Sequence, residues 1–360
     1  MKNYRAAVIG CSRMGGFIDN EVAGARKHAP PYSHGAGFFA CTRTDLVACA
    51  DPRTDVMEKF GELYNIPKER QYTDYREMIA AEKLDIVSVA TQPEPRAEIV
   101  IYAAEHGIKA IYAEKAMAAS LAEAQAMVEA LERNNVFFNL GTNRRWSVLY
   151  DKMKEIIDGG DLGTLKTLII YLNGTLFNTG SHTLDLLMRL NSDQPIEWVQ
   201  ASLSNADGIF DGDLMREDPQ GEGFFQFANG VRAYAMNTAR GLEVEAICDN
   251  GTITALNDGI EFLIRKKVPI DNSGRLSLEI VDRLEIEPQS STLKLIEDLV
   301  HALDTGEPTR CGPRVAYAGM ELIFGMIESH RNNGGRVTMP VASNIRMERS
   351  VAPRTPKYSV

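Results

Sequence analysis

Three groups of residues in this chain have types and spacings that could do chemistry. The first is the turn "VIGCSRMGG", where Gly10 and Gly15 hold the outer places of a G-x-G-x-x-G pattern and Ser12 stands in the middle. In that pattern one glycine makes the tight turn, one admits a pyrophosphate to the backbone, and one lets a helix pack on its strand. Ser12 still offers its backbone N–H to phosphate and adds a hydroxyl donor. Taken alone, the pattern also describes an ordinary strand-to-helix turn. Asp51, in "ACADPR", closes the next strand-like run 36 residues after Gly15. A carboxylate there accepts hydrogen bonds from ribose hydroxyls and repels a 2′-phosphate, which favours NAD over NADP. Arg53, two residues on, works the other way by offering a phosphate partner, and Asp-Pro is itself turn-like.

The second group is Glu114-Lys115, at the end of the strand-like "KAIYAEK". A lysine there is either a solvated strand end or, with an apolar run before it and "AMAAS" after it, an ammonium with little water beside it. The third is "NTGSHTLDLL", with His182 four residues after Asn178 and three before Asp185. An imidazole titrates near 6.5, suited to moving a proton, although a histidine at a helix start also serves as a cap or in a core. Asp185, one helical turn later, shares its face and could bind a substrate hydroxyl, hold the imidazole or lie on the surface. Arg144, Arg145 and Trp146 stand at the start of the second half, where an arginine could hold an acidic group or bridge domains. Tyr171 and Asn173 lie on a strand that could line a pocket.

Elements must position these groups. Strand-like runs at 4–10, 44–51, 85–91 and 109–115 alternate with helical patterns at 54–64, 74–83, 94–107 and 120–135. Such alternation implies parallel strands with right-handed crossovers, an α/β domain over residues 1–141. The segment "KHAPPYSHGAGFFACTR", 27–43, reads as a loop inserted between the glycine turn and Asp51. From 142 to 340 the pattern changes to alternating strands and Asn-Gly turns at Asn229-Gly230 and Asn250-Gly251, with helices at 147–158, 182–190, 291–304 and 313–331. That is an α+β domain with an antiparallel sheet. Residues 341–360 read as an extended tail.

The totals narrow the partners. A formal charge of −10 and the lack of a basic block with aromatics argue against nucleic acid. No apolar run approaches membrane-spanning length and no signal peptide precedes the first strand, so a cytoplasmic protein is expected. The five cysteines are scattered, without zinc-ligand spacing, so free thiols and no structural metal are expected. A small molecule is the partner these features leave.

At this point the chain resembles a family. "VIGCSRMG", "ADPR", "VATQPEPRAEIV", "AEKAM", "TNRRW", "GSHTLDLL" and "GMIESHRNNGGRVTMPV" fall in the order seen in the Gfo/Idh/MocA oxidoreductases, over roughly residues 3 to 342. The resemblance implies a Rossmann domain followed by an α+β domain with a large open antiparallel sheet, pairing into homodimers or homotetramers through that sheet's outer face. It implies hydride transfer between a nicotinamide cofactor and a carbinol carbon of a sugar, polyol or inositol. Lys115 then matches the lysine at the substrate oxygen and His182 the acid/base. Gly10, Ser12, Arg13, Met14 and Asp51 match the cofactor turn and ribose partner, and Thr91 and Pro93 the nicotinamide side, with Gly15, Arg53 and Glu114 beside them. Asn178, Asp185, Arg144, Trp146 and Tyr171 fall to the substrate. Three positions depart from the pattern: Ala116 replaces the proline of E-K-P, Arg96 a frequent histidine, and Asn178 the leading aspartate of D-x-x-x-H-x-x-D.

Two other readings use the same scaffold. One is a glycosidase or epimerase that oxidises its substrate transiently and keeps its NAD. The other is a sensor of sugar or cofactor without turnover, which would not need Lys115 and His182.

Overall fold

Short β-branched runs bounded by helices build the first sheet. The computed structural model describes residues 3–206, 208–349 and 355–359. β1 (Tyr4–Ile9), β2 (Thr44–Ala50), β3 (Gln71–Tyr72), β4 (Ile86–Val89), β5 (Ala110–Ala113) and β6 (Phe137–Leu140) form a parallel sheet ordered β3-β2-β1-β4-β5-β6. Every residue of β4 and β5 is buried, as strands covered on both faces require. The order reverses between β1 and β4, the switch point at whose carboxyl edge such folds bind ligands.

The helices between and after these strands are α1 (Ile18–Val22), α2 (His34–Ala40), α3 (Thr54–Leu63), α4 (Tyr75–Glu82), α5 (Pro93–Glu105) and α6 (Leu121–Arg133). The first departs from expectation: a π turn over Arg13–Phe17 leads into a helix that ends at Val22. The inserted segment holds a helix, α2, capped by the Ser33 hydroxyl, which accepts from Ala36 N. Asp19 ties its entrance by accepting from Tyr32 N at 2.7 Å and Ser33 N at 2.9 Å.

The second sheet starts after α7 (Val148–Asp158) with β7 (Leu165–Leu172), followed by α8 (Ser181–Leu190) and β8 (Ile196–Ser204). A small ladder of β9 (Phe210–Asp211) and β10 (Leu214–Met215) precedes β11 (Gln220–Phe227), β12 (Arg232–Asn237), β13 (Glu243–Cys248) and β14 (Gly251–Leu256). β15 (Glu261–Pro269), β16 (Leu276–Glu285) and β17 (Val337–Thr338) complete a sheet ordered β16-β15-β14-β13-β7-β12-β11-β8-β17. Both Asn-Gly pairs turn antiparallel hairpins. The sheet is mixed, however, because β7 lies between β12 and β13, which run in opposite directions. It is parallel to β12 and antiparallel to β13.

Two compact units result. The first is Met1–Trp146 with Gln289–Met320 and Arg346–Val360; the second is Ser147–Pro288 with Glu321–Ile345. This division replaces the single boundary at 141 expected from sequence. α9 (Ser291–Thr305) belongs to the parallel-sheet unit because it is bonded into it. Thr292 Oγ1 donates to Tyr32 O at 2.8 Å, and Asn139 Nδ2 to Asp298 at 2.8 Å. The division falls within α10 (Pro313–Arg331), whose Ser329 hydroxyl accepts from Ala201 N of β8 at 2.8 Å.

Of the expected tail, 341–345 and 355–359 carry no helix or strand and Arg346–Met347 form a short strand, while 350–354 and 360 lie outside the described residues. Tyr358 packs edge-on against Phe17 at 4.9 Å, beneath the Lys59 ammonium at 3.6 Å. Among the described residues all five cysteines are buried and free, and no helix is long and apolar enough to cross a membrane.

Candidate active site

The carboxyl edge of the parallel sheet gathers the nucleotide residues. Gly10 leaves β1 with φ of +93°, and a Cβ there would press on Ala90 and Thr91 N at the end of β4. A Cβ on Gly15 would stand 1.9 Å from Gly10 O, so the turn closes only with glycine there. Ser12 precedes the π turn without a side-chain cap bond, Met14 is half-buried, and Arg13 pairs with Glu21 at 2.7 Å. Asp51, 5 % exposed, ends β2 and accepts from Cys11 N at 2.8 Å and Arg53 N at 2.9 Å. The Arg53 side chain approaches the same carboxylate at 3.6 Å. Thr91 and Pro93 follow β4. Pro93 begins α5, and the Thr91 hydroxyl is buried with no hydrogen-bond partner among the described residues.

These residues fit a bound dinucleotide. The glycine turn, the carboxylate after β2 and the orphaned Thr91 hydroxyl all lie on one sheet edge, where pyrophosphate, ribose and nicotinamide would each find a partner.

Lys115 follows β5 on that edge, half-buried, and the backbone at and after it is held by two side chains. The Glu114 carboxylate accepts Lys115 N–H at 3.1 Å, while buried Arg96 donates to Ala116 O and to Thr91 O. The Lys115–Ala116 peptide is cis. Arg96, standing where the family often has histidine, is therefore a backbone clasp; burial pushes its guanidinium down to about 10, still charged at neutral pH. Glu114 is 4 % exposed, and its carboxylate accepts from Lys115 N–H and lies 3.1 Å from His34 Nε2. Burial works to raise the Glu114 carboxyl, but the His34 hydrogen bond with the charges of Lys115 and Arg96 outweighs it and holds it below the usual range.

His34 itself was missed by the sequence reading. It is fully buried, stacked on Tyr112 with centroids 3.8 Å apart, with Nδ1 on the Ser88 hydroxyl. Nothing in "HGAGFFA" marks it, since its partners come from β4 and β5.

Asn143–Trp146 form a short 3-10 turn after β6 and belong to this first unit, not to the start of the second. Arg144 is half-buried. Arg145, 1 % exposed, donates to Arg310 O at 3.4 Å while Arg310 donates to Arg145 O at 3.2 Å, a structural exchange. Trp146 is buried, and its indole N–H has no partner among the described residues.

The second unit carries the histidine. A π turn, Leu176–Gly180, runs directly into α8, placing Asn178 exposed on the turn and His182 half-buried in the first helical turn. Asp218 holds the π turn: it accepts from Thr175 Oγ1 at 2.5 Å, Phe177 N at 2.9 Å and Asn178 N at 3.0 Å. This residue, ahead of β11, was also missed; only its Asp-Pro pair hinted at a turn. Asp185 is 3 % exposed, so it is no surface aspartate.

Tyr171 lies on the face of β7 opposite its fully buried residues. Leu168, Ile170 and Leu172 of β7 are fully buried under the helical layer, so alternation turns Tyr171 to the sheet's other face. There its ring carries Arg240 at 4.5 Å. Asn173, just past the strand, is exposed.

Known proteins share this organisation. The chain is 32 % identical to a D-apiose dehydrogenase of Paraburkholderia graminis over 46 % of this chain and 39 % of the relative. It is 30 % identical to a myo-inositol 2-dehydrogenase of Thermotoga maritima over 33 % and 34 %. The matches thus span about two fifths or less of these curated relatives. An oxidoreductase from Agrobacterium radiobacter, solved with NAD+, L-tartaric acid and magnesium, has the same fold, with TM-score 0.72, 16 % identity and coverage of 94 % of this chain and 98 % of that one. Residues 4–142 match the family model described as an oxidoreductase family with an NAD-binding Rossmann fold. Over this nucleotide-binding stretch the chain is similar to the Gfo/Idh/MocA oxidoreductase family.

Proposed function

We propose that this chain is an NAD-dependent dehydrogenase acting on a carbinol carbon of a sugar, polyol or inositol, with Lys115 at the substrate oxygen and His182 as acid/base. One observation carries the reading: Lys115 follows β5 on the same carboxyl edge as the Gly10–Gly15 turn and Asp51, with its N–H held by Glu114 and the next carbonyl, Ala116 O, held by Arg96. The named sugar and inositol dehydrogenases among the relatives support the substrate class.

Oxidising an alcohol requires loss of the hydroxyl proton as hydride leaves the same carbon. The dinucleotide, when bound, supplies the hydride acceptor. Lys115, as an ammonium beside the oxygen, stabilises the developing alkoxide, an effect of about 10²–10³ in rate for a single donor of this kind. His182 takes the proton, a role normally worth about 10²–10⁴. Asp51 supports NAD over NADP, because its charge opposes a 2′-phosphate and the nearest guanidinium, Arg53, is drawn to Asp51 itself.

The test pairs a screen of aldoses, polyols and inositols for NADH formation with Lys115→Ala. We expect turnover to fall by about 10²-fold or more while NAD binding is retained. Unchanged turnover would overturn the role of Lys115.

A further inference from the structure

We propose that His34 is a positioning residue for Lys115: its Nε2–H fixes the Glu114 carboxylate, which in turn holds the Lys115 backbone and faces the lysine's charge.

Hydrogen-bond bookkeeping sets the direction of every proton in this chain of contacts. An ionised carboxylate only accepts, so His34 Nε2, 3.1 Å from Glu114 Oε1, must carry the hydrogen. Nδ1 then has a lone pair, and the Ser88 hydroxyl donates to it. Burial lowers the imidazole from its usual 6.5, with Glu114 opposing, so the ring is neutral at pH 7 and in this one tautomer. The other carboxylate oxygen, Oε2, receives Lys115 N–H at 3.1 Å.

The ring has little freedom to do otherwise. It lies 3.8 Å from Tyr112 at an interplanar angle of 7°. The helix that carries it is anchored from α9, where a Cβ on Gly37 would stand 2.7 Å from Ile296. Such packing is tighter than an accidental histidine on an inserted segment would need. The charged or titratable groups facing the Glu114 carboxylate among the described residues are His34 from α2, Arg96 from α5, Tyr112 of β5 and Lys115 just after it. Of these only His34 supplies it with a side-chain hydrogen bond. Without that donor, a carboxylate this buried is driven toward its neutral form by desolvation.

The proposal rests on reading Lys115 as the residue at the substrate oxygen, but its test reads the Glu114–Lys115 pair directly. An amide proton bonded to a carboxylate reports that carboxylate's ionisation. The protein is labelled with ¹⁵N-lysine, the Lys115 amide is assigned by Lys115→Arg, and its shift is followed between about pH 5.5 and 8. Wild type is expected to be flat. His34→Asn, too short to reach Glu114, and His34→Phe, which keeps the ring stack, should each show a titration step in that window. His34→Gln, whose amide N–H can stand for Nε2–H, should be flat again. A folded Asn or Phe variant as flat as wild type overturns the proposal, as does a Gln variant that titrates like them. Failure here leaves the Lys115 assignment standing; a Lys115→Ala enzyme with full turnover overturns that assignment and not the pair.

Discussion

Removing the carboxylate of Asp218 should loosen the turn that delivers His182. Thr175 Oγ1, Phe177 N and Asn178 N all end on it. A hydrogen bond to a charged group contributes about 1.5–3 kcal/mol. Three bonds to one carboxylate are not additive, so Asp218→Ala should lower the local opening free energy of the turn by about 2–4 kcal/mol. Converted at 1.36 kcal/mol per tenfold, amide exchange at Phe177 and Asn178 should quicken about 30- to 900-fold, while amides within β11 and β12 hold their rates. Asp218→Asn should fall between, because an amide turned either way presents NH₂ to at least one of the donors. In the dehydrogenase assay, displacement of His182 by a fraction of an ångström to 1 Å should cost up to about 10²-fold in turnover and leave NAD affinity unchanged. Exchange at both amides within about threefold of wild type, with turnover intact, would refute the claim that Asp218 holds the turn.

Three further outcomes are expected. Asp51→Ala should narrow the preference for NAD over NADP by about tenfold or more, since unit charges near 4 Å interact by about 1–4 kcal/mol; paired titrations read the ratio, and an unchanged ratio would remove Asp51 from the ribose site. Asn178→Asp should raise the pKa of the acidic limb of the rate profile, because a carboxylate near His182 favours the imidazolium; an unmoved limb would mean that residue 178 does not face His182. Acid should destabilise the fold through His34 and Glu114. Both groups are lowered in the folded state from 6.5 and 4.5, so the unfolded chain binds protons first and stability falls with pH below about 6.5. Urea midpoints between about pH 8 and 4 should show a shallower decline for His34→Gln, and an identical decline would count against the histidine's share.

What could be read from the residues depended on how local the cause was. The strands β4 and β5 announce themselves because burial on both faces leaves only apolar or small residues, and Asn229-Gly230 and Asn250-Gly251 turn hairpins through their own backbone preferences. The helix from His34 was hidden because two glycines in seven residues depress helix propensity, and its stability comes from Ser33 and α9. The face on which Tyr171 lies was not legible, because period-two alternation separates two faces without saying which one the helices cover. The parallel pairing of β7 with β12 follows from strand order, which no local pattern records. For Asp218 and His34 the informative partners lie 40 to 80 residues away, at Asn178, Ser88 and Glu114.

The return of the chain to its first unit bears on how the protein is made. Asn139 of β6 is fully buried, donates to Asp298 and accepts from Cys311 N at 3.0 Å, and Thr309 Oγ1 donates to Phe138 O at 2.5 Å. A nascent chain emerging from the ribosome therefore cannot complete the nucleotide-binding unit until synthesis has passed Cys311, after most of the other unit already exists. The usual order, in which an N-terminal domain folds before the next is made, is unavailable here. The half-built parallel sheet must wait with the polar groups of β6 unpaired. Its exposure to chaperones and proteases during synthesis is then set by the time needed to translate and fold the intervening mixed sheet.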